Sequence, residues 1–154
     1  MPKIKIFLWQ LCHKVLPVWG TLLQRGIDIN HVCPLCLKNI ETTDHTFKDC
    51  HSTMKIWQSA IQHGWLLAYT ELMNFYTIYQ WLINLKNHRQ PEVLHRTSFL
   101  LWGIWMHRNA TVFRNDIFKP ITCLYVESRI RTRMSTDDIF RGSHSPLYPP
   151  PITL

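Results

Sequence analysis

The stretch Cys33-Pro34-Leu35-Cys36-Leu37-Lys38-Asn39-Ile40-Glu41-Thr42-Thr43-Asp44-His45-Thr46-Phe47-Lys48-Asp49-Cys50 carries three cysteines and a histidine in the order Cys-x2-Cys-x8-His-x4-Cys. Three soft thiolates and one imidazole are the donor set of a closed tetrahedral zinc site. Two cysteines separated by two residues clasp one ion from a tight turn, and Pro34 stiffens that turn by fixing its own φ. The step from His45 to Cys50, about one helical turn, completes the cage. Four protein ligands leave no open coordination position, so a metal there would hold the fold together and would not activate water. The pattern points to one structural zinc ion on Cys33, Cys36, His45 and Cys50, and away from a zinc hydrolase.

Other uses of the same residues remain open at this point. Cys33, Cys36 and Cys50 could be free thiols in a reducing compartment, with His45 an unrelated surface residue. A disulfide framework fits less well, because five cysteines leave one unpaired and the chain is long enough to bury a core without staples. His31 and His51 lie close enough in sequence to replace His45 as the fourth ligand. Cys12 and Cys123 fall far from the cluster and read as small apolar packing residues.

Around this motif, 154 residues with 46 % hydrophobic content suit one domain or two small lobes sharing a core, and seven tryptophans make that core aromatic. The formal charge of +7 is spread along the chain without a dense basic block, a lean towards polyanions through long-range field and counterion release. Met1-Pro2-Lys3-Ile4-Lys5 followed by Ile6-Phe7-Leu8-Trp9 imitates a signal peptide, but Gln10, His13 and Lys14 interrupt the apolar run. The apolar stretch from Phe99 to Met106 is far shorter than the roughly 20 residues a membrane helix needs. The expectation is a protein without a membrane partner, intracellular, in cytoplasm or nucleus.

Periodicity predicts an all-α chain: an irregular helical domain with a small CCHC zinc clasp, and at most a short β-hairpin at the clasp. Ile4, Phe7, Leu8, Leu11 and Val15 recur at helical spacing up to Pro17, and a second short helix runs to Gly26. Thr43 is the expected cap of the turn bearing His45. Ser52 is the expected cap of a helix whose stripe is Met54, Trp57, Ala60 and Ile61. Leu72, Phe75, Tyr76, Tyr79, Leu82, Ile83 and Lys86 mark the next helix. After Pro91, Leu94, Leu101, Trp102, Trp105, Asn109, Val112 and Phe113 mark a longer one, apolar on every side from Phe99 to Trp105. A last helix is expected after Pro120, with Leu124, Ile130 and Met134. Beyond Gly142 the tail ending Pro149-Pro150-Pro151 has too little apolar variety to pack.

Taken together, Pro2-Lys3-Ile4-Lys5-Ile6-Phe7-Leu8-Trp9, Leu16-Pro17, Arg25-Gly26-Ile27, Cys33-Pro34-Leu35-Cys36, Glu41-Thr42, His45, Phe47, Cys50 and Trp57 resemble the zinc-binding domain that follows the reverse transcriptase in plant LINE-type (non-LTR) retrotransposons. The resemblance covers about residues 2 to 65. Trp102-Gly103-Ile104-Trp105-Met106-His107-Arg108-Asn109 with Val112-Phe113 resembles the helical spacer that such polyproteins carry before a ribonuclease H domain. The organisation implied is a zinc-binding domain over 1–65, a helical spacer region over 66–141 and a disordered Pro-rich tail over 142–154. The same resemblance implies Cys33, Cys36, His45 and Cys50 as ligands and a role in handling nucleic acid, RNA or DNA.

Catalysis does not come with it. The pair Asp137-Asp138 follows Ser135-Thr136, without the aromatic residue of a reverse transcriptase Tyr/Phe-x-Asp-Asp hairpin, and reads as a capped terminal turn. The carboxylate cluster of a ribonuclease H is missing. Since the chain begins at Met1 almost on the motif and ends soon after the spacer, a domesticated or relic fragment is one expectation. Lys3, Lys5, Lys14, Arg25 and Lys38 flank the zinc unit and are the first choice for phosphate contacts. Trp102, Trp105, His107, Arg108 and Arg114 offer either stacking faces for a single strand or, more simply, a core stripe with a solvated edge. The reading is a non-catalytic, zinc-stabilised nucleic-acid-binding module. Its alternative is a helical interaction scaffold, or a functionless relic, in which zinc only holds the fold.

Overall fold

Pro2 lacks the backbone N–H that a first helical turn leaves unpaired anyway, and it opens helix α1 (Pro2–Cys12). The structure is a computed structural model that describes residues 2–64, 66, 75–88 and 91–116. Ile4, Phe7 and Leu11 form the inner face of α1. The helix closes before Pro17, through bonds from Lys14 N–H to the Leu11 carbonyl and from Val15 N–H to the Gln10 carbonyl, with Lys14 left-handed at φ 56°. Helix α2 (Trp19–Gln24) ends in the same double bond around Gly26, whose φ of 80° suits glycine.

Residues 25–44 hold little regular structure. The expected hairpin at the clasp reduces to one antiparallel bridge, Val32 to Ile40, and no sheet forms among the described residues. A π-helical turn (His45–Asp49) follows, and then α3 (His51–Gln62). The caps differ from expectation. Thr42, not Thr43, accepts the His45 N–H at 3.0 Å, because the helical backbone already begins at residue 43, with the Thr46 N–H bonded to the Thr42 carbonyl. Ser52 lies inside α3 and donates to the Leu35 carbonyl at 2.8 Å, while Cys50 takes the N-cap position. The buried stripe of α3 is Thr53, Ile56, Trp57 and Ala60, one residue round from the predicted face, with Met54 and Ile61 at its half-buried margin.

Helix α4 (Ile78–Asn87) begins with a full capping box between Thr77 and Gln80, and Ile78 N–H donates to Asp44 Oδ1 at 2.8 Å. Its inner face is Ile78, Trp81, Leu82 and Leu85, which leaves Tyr76 and Tyr79 exposed, contrary to the predicted stripe. Helix α5 (Pro91–Arg114) is the long helix expected after Pro91, and Phe99, Leu100, Leu101, Gly103, Ile104 and Trp105 are buried along it. Leu72, Cys123, the helix expected after Pro120, Asp137, Asp138 and the tail lie outside the described residues.

The core is aromatic at its centre. Phe7 of α1 meets Phe47 of the π turn edge-on at 5.8 Å, Trp102 of α5 edge-on at 5.4 Å and Trp105 of α5 in a stack at 6.3 Å. Trp57 and Trp81 join α3 to α4 edge-on at 5.6 Å. Burying a phenylalanine fully is worth about 1.5–3 kcal/mol, and Phe7 places that gain where α1, the metal turn and α5 converge. The cluster runs without a break from Phe7 through Cys33, Cys50 and Trp57 to Trp105.

Candidate metal centre

Each candidate ligand is set by a different local device. Cys33 leaves the single bridge and receives its backbone bond from Asn39, Cys33 N–H to the Asn39 carbonyl at 2.8 Å. Leu37, left-handed at φ 57°, turns the chain back after Cys36 and donates to the Cys33 carbonyl. His45 opens the π turn, and Cys50 N–H returns to the His45 carbonyl at 2.7 Å across that turn. Two side chains of α3 then bolt the turn down. Thr53 Oγ1 donates to the Thr46 carbonyl at 2.7 Å, and Trp57 Nε1 donates to the Phe47 carbonyl at 2.9 Å.

The result brings one donor atom from each of Cys33, Cys36, His45 and Cys50 within 4.8 Å of the others. Cys33 Sγ and Cys50 Sγ are 3.9 Å apart, and Cys36 Sγ lies 3.3 Å from His45 Nε2. A tetrahedron with Zn–S bonds of about 2.3 Å and Zn–N of about 2.0 Å has edges of about 3.8 and 3.5 Å, so the donors stand close to zinc-bound spacing. The donor set and its geometry fit one zinc ion. The 3.9 Å gap is far too long for a disulfide, whose S–S length is about 2.05 Å, and Cys12, Cys33, Cys36 and Cys50 are all free thiols. His31 and His51 are exposed and stand outside the cluster.

Electrostatics within the site favour a cation. The hydrogen bond from Cys33 pulls the Cys50 thiol down to about 4, with backbone N–H groups of Thr53 and Ser52 and the His45 imidazole assisting and burial opposing. Cys33 is pushed up, first by donating to Cys50 and then by burial. Two thiols held this close, one of them facing backbone N–H groups, are the groups that a metal ion would bind as thiolates. Cys12 differs: burial raises its thiol, and it packs half-buried against the core, as expected of a packing residue.

Residues 1–57 match a family model described as zinc-binding in reverse transcriptase. All four clustered donors fall inside the matched segment, which ends within α3. No curated protein and no solved structure matches the chain.

Lys3, Lys5, Lys14, Arg25 and Lys38 are all exposed. The tryptophan–arginine series of α5 is, in the main, core. Trp105 is buried, Trp102 is half-buried against Phe7, and burial lowers the His107 pKa. Arg114 is exposed and pairs with Asp116. Arg108 is only 1 % exposed. Its guanidinium grips the fully buried Glu41 carboxylate with two bonds, Nε to Oε1 at 2.8 Å and Nη2 to Oε2 at 2.6 Å, and lies over the Trp19 ring at 4.5 Å. It therefore cannot reach a phosphate.

Glu41 is the functional residue that the spacing of the ligands did not reveal. It sits midway between Cys36 and His45, takes the Trp19 N–H on Oε2 at 2.7 Å, and ties the ligand loop to α2 and α5 at once. Its carbonyl also accepts the Gly20 N–H at 2.9 Å, in a space so close that a Cβ on Gly20 would stand 2.6 Å from that oxygen.

Proposed function

We propose that the chain is a non-catalytic nucleic-acid-binding module stabilised by one zinc ion on Cys33, Cys36, His45 and Cys50, derived from a plant LINE-type retrotransposon polyprotein and including part of its helical spacer. The observation that carries the nucleic-acid role is the exposure of Lys3, Lys5, Lys14, Arg25 and Lys38 around the zinc unit. The family-model match over residues 1–57 supports the reverse-transcriptase context. Among the described residues no helix is long and apolar enough to cross a membrane, which suits a module working on RNA or DNA in cytoplasm or nucleus.

The test is a titration of the zinc-loaded full chain with labelled single-stranded RNA, single-stranded DNA and duplex at several salt concentrations. Three to five phosphate contacts give a slope of log affinity against log salt of about −2 to −3.5 on single strands. An absence of binding at low salt removes the nucleic-acid role. The scaffold reading would then gain weight, for Leu37, Tyr76 and Phe113 are each at least three-quarters exposed and offer apolar contact to a protein.

A further inference from the structure

Ile6, Trp9 and His13 follow one another at the three- and four-residue steps that place side chains on one helix face, and Lys5 stands four residues before Trp9 on the same side, opposite the buried Ile4, Phe7 and Leu11. All four are exposed, Ile6 by 57 % and Trp9 by 44 %. Single exposed apolar side chains are ordinary. Two observations set this face apart.

The first is that the Trp9 ring is held in place. The His13 imidazole stacks on it with centroids 4.5 Å apart and 28° between planes, and His13 Nδ1 donates to the Trp9 carbonyl at 2.8 Å. A ring pair fixed in advance loses less freedom when a ligand lands on it. The second is charge. Residues 1–27 contain Lys3, Lys5, Lys14 and Arg25 and no aspartate or glutamate. Among the described residues the ion pairs use Lys48, Arg96, Arg108 and Arg114 instead. Lys3, Lys5 and Lys14 are exposed, and among the described residues none of them is in an ion pair.

Resting on the nucleic-acid role proposed above, we infer that the outward face of α1 binds single-stranded nucleic acid, with one base stacked on Trp9 and a flanking phosphate met by Lys5. A base within a duplex has both faces covered by its neighbours, whereas an unpaired base offers a free π face to an exposed indole. Stacking of this kind tolerates any base. It therefore adds strand selectivity without sequence preference, which the lysines alone do not supply.

The experiment compares the zinc-loaded full chain with Trp9→Ala, Trp9→Phe and Lys5→Gln, by fluorescence anisotropy of short labelled RNA and DNA strands and their duplexes. Trp9 points to solvent, so Trp9→Ala should keep its zinc and its helical circular dichroism. Its affinity for single strands should fall about 5- to 150-fold with the salt slope unchanged, and Trp9→Phe should recover most of that loss. Lys5→Gln should instead make the slope shallower by about 0.7. Parallel RNA and DNA titrations show whether the sugar matters to the face. Unchanged binding by Trp9→Ala, or duplex bound as tightly as single strand, overturns the stacking assignment while leaving phosphate-driven binding intact. No binding of strand or duplex by the parent chain overturns both.

Discussion

Arg108→Met should destabilise the zinc-loaded protein by about 3–5 kcal/mol, the cost of removing one partner from a buried ion pair. Methionine keeps an unbranched apolar stem in the space beside Trp19 and Trp105, so the change is chiefly one of charge. The Glu41 side chain, 0 % exposed, then retains only the Trp19 N–H of its three bonds. Against a total stability of about 5–15 kcal/mol for a domain, the loss is a fifth or more. Guanidinium denaturation reads it as a lower midpoint at an unchanged slope. Glu41→Gln alone should also be costly, because it strands the Arg108 charge. The double variant Glu41→Gln/Arg108→Met should recover much of either loss, since a neutral amide oxygen can still accept from Trp19 and no buried charge is left unpaired. A loss below about 1 kcal/mol for Arg108→Met, or a double variant equal to the sum of the two singles, would refute the view of this pair as a coupled anchor.

Cys33→Ser, Cys36→Ser, His45→Ala and Cys50→Ser should each abolish stoichiometric zinc by metal analysis, because a three-ligand remnant loses both a bond and the closed geometry; Cys12→Ser and His51→Ala should retain it. Zinc kept by His45→Ala and lost from His51→Ala would reassign the fourth ligand. Gly20→Ala should cost about 1–3 kcal/mol in thermal or chemical unfolding, as overpacking does, since its methyl would meet the Glu41 carbonyl rather than a yielding side chain; full stability would show that the loop gives way there. Trp57→Phe should cost about 1–3 kcal/mol by leaving the Phe47 carbonyl without its donor, and a loss within error would mean that water takes the bond.

Much of this architecture was legible in the chain itself, and the failures share a cause. The ligand order at Cys33, Cys36, His45 and Cys50 survives in three dimensions because metal chemistry demands specific atoms, whatever the backbone between them does. Helical periods located α1, α3 and α5 because each buries a stripe wide enough to dominate its sequence. Stripes were misjudged by about one residue on α3 and α4, where apolar residues outnumber the buried positions and only packing decides among them. Tyr76 looks like core in sequence and is 89 % exposed, since the α4 helix starts after it. The π turn was invisible, because its extra residue between His45 and Cys50 has no compositional signature. Arg108 belongs to a series that reads either as contacts to a single strand or as a core stripe with a solvated edge, because a lone arginine after two tryptophans gives no hint of a carboxylate far earlier in the chain.

That long-range pair has a physical role which the metal cannot fill. Residues 25–44 have one bridge and few helical bonds to fix them, so their conformation depends on anchors. A metal ion fixes the distances among its four ligands, and hence the internal shape of the clasp, but it says nothing about where the clasp sits against the helices. The bonds from α3 and α4 fix part of that position, and Glu41 adds the rest, binding the α2 N-terminus through Trp19 and α5 through Arg108 from a point between the second and third ligands. The family-model match ends at residue 57, so it includes the carboxylate and leaves out its counter-ion, just as it includes Phe7 and leaves out Trp102 and Trp105. A buried carboxylate is stable only with its partner present. The Glu41–Arg108 pair therefore joins the ligand loop to the helix that ends at Arg114, a contact that the ligand spacing and the helical period each leave unannounced.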